Sequence, residues 1–383
     1  MSDQGIAPPP AGESHGATSL IAVDRTTADL RRGLTILVRG RERRAILVQA
    51  AEAASDESLR RLRALGEAFP SIVLTGRRGR VLGLIDGGGE PVRMALTHGI
   101  SAAAVRQLAD PCGALEQPLP AALDIGRVDD TSCEAAAIQL TKIARLLPAA
   151  VTVAVPERRR GYVAEWGAAE DLLLVDVDDV FGYWHQVAHG LRRVSEAQVP
   201  LAGASACRII AFRPIDGGVE HIAIVVGAPP ADVPPMTRLH SECFTGDLLA
   251  SLRCDCGDQL RGAIGQMAEA GSGILLYLAQ EGRGIGLVNK LRAYELQDQG
   301  LDTLDANEQL GFDADERIYQ PAAEMLRQLG FTAVRLLTNN PAKVDALKRH
   351  GIDVVDRVKH SFPSNAHNEG YLKTKATRFG HEF

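Results

Sequence analysis

From Leu30 onward, short apolar runs alternate with stretches whose apolar residues recur at helical spacing, and this alternation restricts the chain to an α/β architecture. Residues 35–38, 45–48, 71–74, 151–155 and 172–177 read as strands. Residues 208–212 and 221–226 read as two more, separated by Asp216-Gly217-Gly218, which has the chemistry of a hairpin turn. Beyond Pro234-Pro235 helix and strand take turns. Leu260, Ile264 and Met267 predict a helix over 259–269, residues 274–278 a strand, and Leu287, Val288, Leu291 and Tyr294 a further helix. A helix over 322–329 is stopped by Gly330, residues 334–337 form a strand, and Pro341 opens a helix over 342–349 that Gly351 closes.

The 383 residues exceed one ordinary domain. Three segments are expected: a flexible tail over 1–27, where Pro8-Pro9-Pro10 lies among Gly and Ser, a domain over 28–195 and a second over 196–383. Each domain should be α/β, a mixed sheet with packed helices, and no internal repeat is visible. Hydrophobic residues make up 45% of the chain, enough for sizeable cores. Aromatics at 4% and a net charge of -6 argue against a nucleic-acid partner. No apolar run reaches the roughly 18–20 residues that span a bilayer, so no membrane partner is expected. Residues 1–19 lack the basic start and apolar centre of a signal peptide, which points to the cytoplasm. Thiols stay reduced there, so the six cysteines are read as metal-binding, catalytic or core residues rather than as disulfides.

Three of the six are close together, in the pattern Cys243-x10-Cys254-x-Cys256. Three soft thiolates within short reach suit zinc, and a fourth position left to water is the mark of a catalytic site. Two plainer readings stand beside it: Cys254 and Cys256 alternating along a strand, or a structural zinc with a distant fourth ligand. Cys112, Cys133 and Cys207 have no metal-like spacing and read as ordinary small residues.

The surrounding residues decide between these readings. Arg238-Leu-His-Ser-Glu-Cys243-Phe-Thr-Gly-Asp247, followed by Ser251-Leu-Arg-Cys-Asp-Cys-Gly257, resembles the zinc motif of GTP cyclohydrolase II. Gln280-Glu-Gly-Arg-Gly-Ile-Gly-Leu287 resembles its second motif. Arg292-Ala-Tyr-Glu-Leu-Gln-Asp-Gln-Gly300, Asn307-Glu-Gln-Leu-Gly-Phe312, Asp315-Glu-Arg317, Leu336-Leu-Thr-Asn-Asn-Pro341 with Lys343, Asn368-Glu369 and Tyr371-Leu372 follow in the family's order. The resemblance runs from about Arg192 to His381.

The resemblance implies a zinc held by Cys243, Cys254 and Cys256 that activates water for attack on C8 of guanine. It implies Tyr294 as an aid to ring opening, by hydrogen bonding or as an acid. Arg317 corresponds to an arginine proposed to attack the α-phosphorus and displace pyrophosphate, and Asp315 to its acidic partner. A guanidinium with a pKa above about 12 is a poor nucleophile, so a second role for Arg317 is charge stabilisation on the phosphates. The implied GTP contacts are Arg238, Leu239, His240, Ser241, Glu242, Gln259, Glu281, Gly282, Arg283, Thr303, Thr338 and Lys343. Among these, a carboxylate such as Glu281 would accept from guanine N1–H and the 2-amino group. Mg2+ is expected with the triphosphate or pyrophosphate. The implied products are formate, pyrophosphate and a diaminopyrimidine ribosylamino phosphate, the first step of riboflavin synthesis, and the family's habit is a homodimer. Two alternatives remain: a hydrolase that opens the ring and keeps the triphosphate, and a non-enzymatic nucleotide-binding regulator. The chain departs from the family pattern at Ala279, where relatives commonly carry an arginine; that implies weaker GTP binding with activity retained.

The N-terminal half resembles an eroded 3,4-dihydroxy-2-butanone 4-phosphate synthase, on the outline from Arg32-Gly33 to Glu52, on Thr97-His-Gly-Ile-Ser-Ala-Ala, on Leu108-Ala-Asp-Pro111 and on Glu134-Ala-Ala with residues 146–155. The synthase's acidic, magnesium-holding stretch is replaced here by Arg39-Gly-Arg-Glu-Arg-Arg44, and Thr131-Ser-Cys-Glu134 lacks its histidine. Four arginines in place of carboxylates repel a metal, so this half is expected to lack synthase activity.

Overall fold

The computed structural model describes residues 11–87, 89–96, 100–113 and 124–360, with the side chains of 11–18 left aside. Among these described residues, two seven-stranded mixed sheets organise the fold. The first contains β1 (Ile36–Arg39), β2 (Ala45–Ala50), β3 (Ser71–Leu74), β4 (Val92–Ala95), β5 (Ile125–Arg127), β6 (Ala149–Ala154) and β7 (Leu174–Asp176) in the order β5-β4-β3-β6-β2-β1-β7. The second contains β8 (Arg192–Gln198), β9 (Cys207–Arg213), β10 (His221–Gly227), β11 (Met236–Ser241), β12 (Ser272–Leu278), β13 (Ala333–Leu337) and β14 (Asp353–Val358) in the order β14-β13-β11-β12-β10-β9-β8. The chain is thus α/β, with two mixed sheets and packed helices.

Both faces of the first sheet are covered, as its unbroken apolar strands require. Ile36, Val38, Ile46 and Val48 meet α1 (Ala11–Arg31), α5 (Cys133–Ile143) and α7 (Val177–His189). Leu37 and Leu47 point the other way, toward α2 (Asp56–Gly66), α4 (Ala102–Ala109) and α6 (Val163–Ala169). A short helix, α3 (Gly76–Val81), follows β3 with Thr75 as its cap. In the second sheet α8 (Cys256–Glu269) covers one face, while α11 (Gln320–Gln328) and α12 (Pro341–Arg349) cover the other. The remaining helices, α9 (Leu287–Asp298) and α10 (Thr303–Gln309), pack on the first sheet's core: Ile285, Ala293, Leu296, Ala306, Leu310 and Phe312 lie in one apolar cluster with Leu37, Leu74, Leu108 and Leu147.

Several sequence expectations need correction. Residues 11–27 belong to α1 rather than to a tail. Leu20, Val23 and Leu30 are buried against β1, β2 and α7, a stripe whose weak amphipathicity hid it from periodicity. The expected cut between 195 and 196 falls inside β8, an exposed, charged strand with no apolar alternation to reveal it. In α9 the apolar spacing marks the helix but not its buried face. Val288 and Leu291 are exposed, whereas Asn289 and Lys290 are buried, because the inward face serves polar contacts described below. Cys254 and Cys256 lie at a turn and the first residue of α8, not along a strand. The hairpin at Asp216-Gly217-Gly218 forms as read, with Gly217 at φ +79° and β9 antiparallel to β10. Residues 97–99 and the 368–372 motif lie outside the described residues.

Leu20, inside the stretch expected to be loose, is buried in α1. Leu20→Ala should cost about 2–5 kcal/mol in denaturant unfolding, whereas a residue in a loose tail would cost nothing.

Candidate active site

β11, β12 and β13 run parallel, so their carboxyl ends open at one edge of the sheet, where open α/β sheets bind ligands. Cys243 follows β11 directly, Glu281 and Arg283 follow β12, and Thr338 follows β13. Cys254 and Cys256 arrive from the start of α8. The three sulfurs lie within 4.8 Å of one another, and Cys243 Sγ is 3.8 Å from Cys254 Sγ. Thiolates about 2.3 Å from a tetrahedral zinc are separated by about 3.8 Å, so the donor set fits that ion. The turn between them is made for the cluster. A Cβ on Gly246 would lie 2.7 Å from Cys254 Sγ and 3.1 Å from Cys243 Sγ, and the Gly246 N–H donates to Cys243 Sγ. Cys112, Cys133 and Cys207 stay apart, in or against the apolar cores.

Two buried networks hold Cys243. Asp247 accepts from the Cys243 N–H (3.0 Å) and from the Tyr277 hydroxyl (3.0 Å), and lies 3.0 Å from His240 Nε2. On the other side Lys290 Nζ donates to Cys243 Sγ (3.1 Å), Thr245 Oγ1 (2.9 Å) and Glu281 Oε1 (2.8 Å). Burial opposes the charge on Lys290, but Glu281 and the Cys243 sulfur hold its pKa above the ordinary value, so it stays an ammonium. Hydrogen bonds from Cys254 and Cys256, together with Lys290, drive the Cys243 thiol pKa down. Its negative charge in turn pushes Cys254 up to about 11 and Cys256 well above the usual thiol range. Full deprotonation of the cluster therefore calls for a cation. The sequence reading missed Lys290. Its only signal was a lysine within the helix, between the apolar positions Val288 and Leu291.

A profile of the GTP cyclohydrolase II family matches residues 192–359. A GTP cyclohydrolase-2 of Azospirillum brasilense is 54% identical over 377 residues, covering 98% of this chain and 98% of the relative. The chain belongs to the GTP cyclohydrolase II family and is a hydrolase. A GTP cyclohydrolase-2 of Shewanella baltica is 58% identical over 170 residues, 44% of this chain and 83% of the relative. Among solved structures, a two-domain 3,4-dihydroxy-2-butanone 4-phosphate synthase from A. baumannii is similar over 89% of this chain and 99% of its own, at 18% identity and a TM-score of 0.35.

Around the thiols opens the cavity in which most of the residues expected from the GTP cyclohydrolase II resemblance meet: Arg238, His240, Ser241, Glu242, Gln259, Glu281, Gly282, Arg283, Tyr294, Thr303, Arg317, Thr338 and Lys343. Leu239 does not join them. The alternation of β11 turns its side chain into the core, and only its carbonyl is used, accepting from Lys343 Nζ at 2.8 Å. Asp315 is not part of the cavity wall either; it grips Arg317 in a fork, 2.8 Å to Nε and 2.5 Å to Nη2. Burial raises the Asp315 carboxyl pKa, but the Arg317 guanidinium outweighs it and holds the value below the ordinary range. Glu281 lines the cavity as well, and its oxygens accept from Phe244 N–H (2.6 Å), Gly282 N–H (2.9 Å) and Lys290. Glu242 is the carboxylate that lines the cavity half-buried, with its pKa raised by burial and by neighbouring Glu281.

The loop from Gln280 to Gly286 is wound tightly: Gly282, Arg283, Gly284 and Gly286 all have positive φ. At Gly284 (φ +97°) a Cβ would stand 2.8 Å from the Glu316 carbonyl oxygen, so glycine is required where this loop meets the strand of chain carrying Arg317. Arg238 is buried with its guanidinium pKa lowered to about 10 by desolvation; it donates to the Leu337 carbonyl and to Gln259, and its Nε has no partner. Arg238, Lys290 and Lys343, all buried, line the cavity together with Arg283 and Arg317. Tyr294, pushed up to about 12 by burial, keeps its proton at neutral pH.

Two measurements follow. Lys290→Met strands the buried Glu281 charge and should cost about 3–5 kcal/mol of stability, with much of it regained in Lys290→Met/Glu281→Gln, as read from denaturant melts. His360 is buried, with its Nε2 set 2.9 Å from the Gln259 carbonyl oxygen, and desolvation lowers its pKa from 6.5 to about 3. The unfolded chain therefore takes up a proton that the folded one refuses. Stability from this residue is complete above pH 6.5 and falls on acidification, by about 2 kcal/mol at pH 5, a component that His360→Gln should lack.

Proposed function

We propose that the chain catalyses zinc-dependent hydrolysis of GTP to 2,5-diamino-6-(5-phosphoribosylamino)pyrimidin-4(3H)-one, formate and pyrophosphate, the first step of riboflavin synthesis. The observation that carries this reading is a trio of thiols at the floor of a cavity walled by buried cations. Cys243, Cys254 and Cys256 would hold the zinc, whose Lewis acidity makes water reactive at neutral pH. Glu242 is the carboxylate available to accept from guanine N1–H and the 2-amino group. Tyr294, protonated beside Lys290, donates to the opening imidazole ring. Arg238, Arg283, Arg317 and Lys343 take the triphosphate, with Mg2+ as its companion. The fork with Asp315 keeps Arg317 charged, which favours stabilisation of phosphate charge over nucleophilic attack. Gln259, Thr303 and Thr338 supply polar contacts around the nucleotide, and Ser241, His240 and Gly282 shape its bed.

The N-terminal half, over 28–195, is proposed to have no synthase activity. Arg39 is forked onto Asp176 and Arg41 pairs with Asp178, leaving the 39–44 stretch basic where a magnesium site would need free carboxylates. The assembly is proposed as a cytoplasmic homodimer. Among the described residues no helix is long and apolar enough to cross a membrane.

Purified, zinc-loaded protein given GTP and Mg2+ should release formate and pyrophosphate in equal amounts, and Cys254→Ser should release neither. Formate without pyrophosphate would make the enzyme a ring-opening hydrolase that keeps the triphosphate. Neither product from zinc-replete protein would leave a nucleotide-binding regulator. Conversion of ribulose 5-phosphate to a four-carbon phosphate would refute the inactivity of the N-terminal half.

A further inference from the structure

α9 has two working faces. Lys290, Tyr294 and Gln297, at i, i+4 and i+7, line the cavity. Asn289, Arg292, Ala293 and Leu296 make the adjoining stripe, which turns toward the N-terminal half. Ala293 and Leu296 are buried in the cluster that includes Leu108 and Leu147. Arg292 reaches between two carboxylates of that half: its Nε is 3.1 Å from Asp110 and its Nη1 3.5 Å from Glu52. Both carboxylates are themselves held, Glu52 accepting from the Leu147 N–H at 2.6 Å and Asp110 from the Cys112 N–H at 3.0 Å. Arg292 Nη1 also donates to Asn289 Oδ1 (2.8 Å), and fully buried Asn289 donates to the Arg145 carbonyl (3.1 Å). Arg145 is the turn residue after α5, at φ +59°, and its guanidinium donates to the Ala279 carbonyl at the start of the Gln280–Gly286 loop. On the same side Lys142 pairs with Glu316 at 2.6 Å, one residue from Arg317.

We propose that the N-terminal half is a positioning element for the hydrolase site, and that Glu52 and Asp110, acting through Arg292, set the rotation and depth of α9 and so the placement of Tyr294. The physical reason is the kind of contact each face offers: Val288 and Leu291 on the outer side are exposed, Ala293 and Leu296 pack without direction into the apolar cluster, and Lys290 ties the helix to the thiol loop but not to the N-terminal half. A planar guanidinium bridging two anchored carboxylates fixes direction as well as distance. An ammonium or a purely apolar contact would let the helix roll. This assignment rests on the hydrolase reading for its catalytic consequence, but the restraint on α9 is measurable without it.

The test compares full-length wild type with Glu52→Gln/Asp110→Asn by hydrogen exchange and by steady-state kinetics. Amides of α9 should exchange about tenfold faster while those of β10–β12 are unchanged. kcat for GTP should fall about tenfold with KM within about twofold and zinc content unaltered. In a Tyr294→Phe background the same pair of substitutions should change kcat by less than about twofold, since the group being placed is gone. Unchanged exchange in α9 overturns the proposal, as does faster exchange with full kcat, or an additive loss in the Tyr294→Phe background. If the double variant does not fold, Arg292→Lys, which keeps the charge but cannot bridge both carboxylates, is judged by the same outcomes. A wild type that does not turn over GTP refutes the hydrolase reading; exchange in α9 then decides alone whether the N-terminal half holds the helix.

Discussion

A single buried ammonium ties the site together. Lys290 Nζ meets the Cys243 sulfur, the Thr245 hydroxyl and the Glu281 carboxylate, three groups delivered by two separate stretches of chain. A buried lysine is tolerated only where its charge is matched and its donors are used, and here every N–H has an acceptor. The same contact settles Glu281, whose oxygens also close the turn at Phe244 and the bend at Gly282. The thiol cluster, the tightly wound glycine loop and α9 therefore cannot move independently. Asp247 does the matching work on the far side of Cys243, receiving its N–H while bound to His240 and Tyr277.

The two halves are less separate than a two-domain description implies. Phe312, Leu310 and Ala306 are buried in the first sheet's core, and polar contacts follow the same seam. Thr75 donates to the Gly311 carbonyl, buried Arg78 to the Gln309 carbonyl, and Arg77 pairs with Glu308 and Asp313. A Cβ on Gly311 would stand 2.9 Å from Thr75 Oγ1, so the seam is packed closely enough to demand glycine, at φ +88°. Arg78 in particular has its pKa lowered to about 10 by burial and is held by carbonyls from both halves. Such contacts are costly to separate, because each leaves a buried donor without water or partner.

How far the sequence could be read varied with the kind of signal. β3 was legible to the residue because three consecutive apolar positions, preceded by Ser71, are bounded by Pro70 and Thr75. α12 was legible from Pro341 and Gly351. α1 was not, since its buried stripe is spread over a mostly polar, small-residue helix. β8 was not, since every one of its residues is exposed. Within the site, Cys243, Cys254 and Cys256 stood out by type and spacing, and Arg238, Lys343 and Arg317 by the resemblance of their motifs. The tie between Glu281 and Lys290, nine residues on, was not legible, because nothing local reveals that Lys290 turns inward to meet it.

The sequence by itself determined which chemistry is available: three thiols in short reach, a glycine-rich turn able to take positive φ, and cations in sufficient number for a triphosphate. It also determined those strands and helices, such as β3 and α12, whose signals are written locally. Only the tertiary structure decided which of those groups face the cavity. Strand alternation sent Leu239 into the core and Arg238 into the site, helix rotation turned Lys290 in and Leu291 out, and the packing of the two halves placed Arg292 between Glu52 and Asp110. These outcomes depend on contacts between residues far apart in the chain, whose energies are fixed by burial and pairing and have no expression in local sequence.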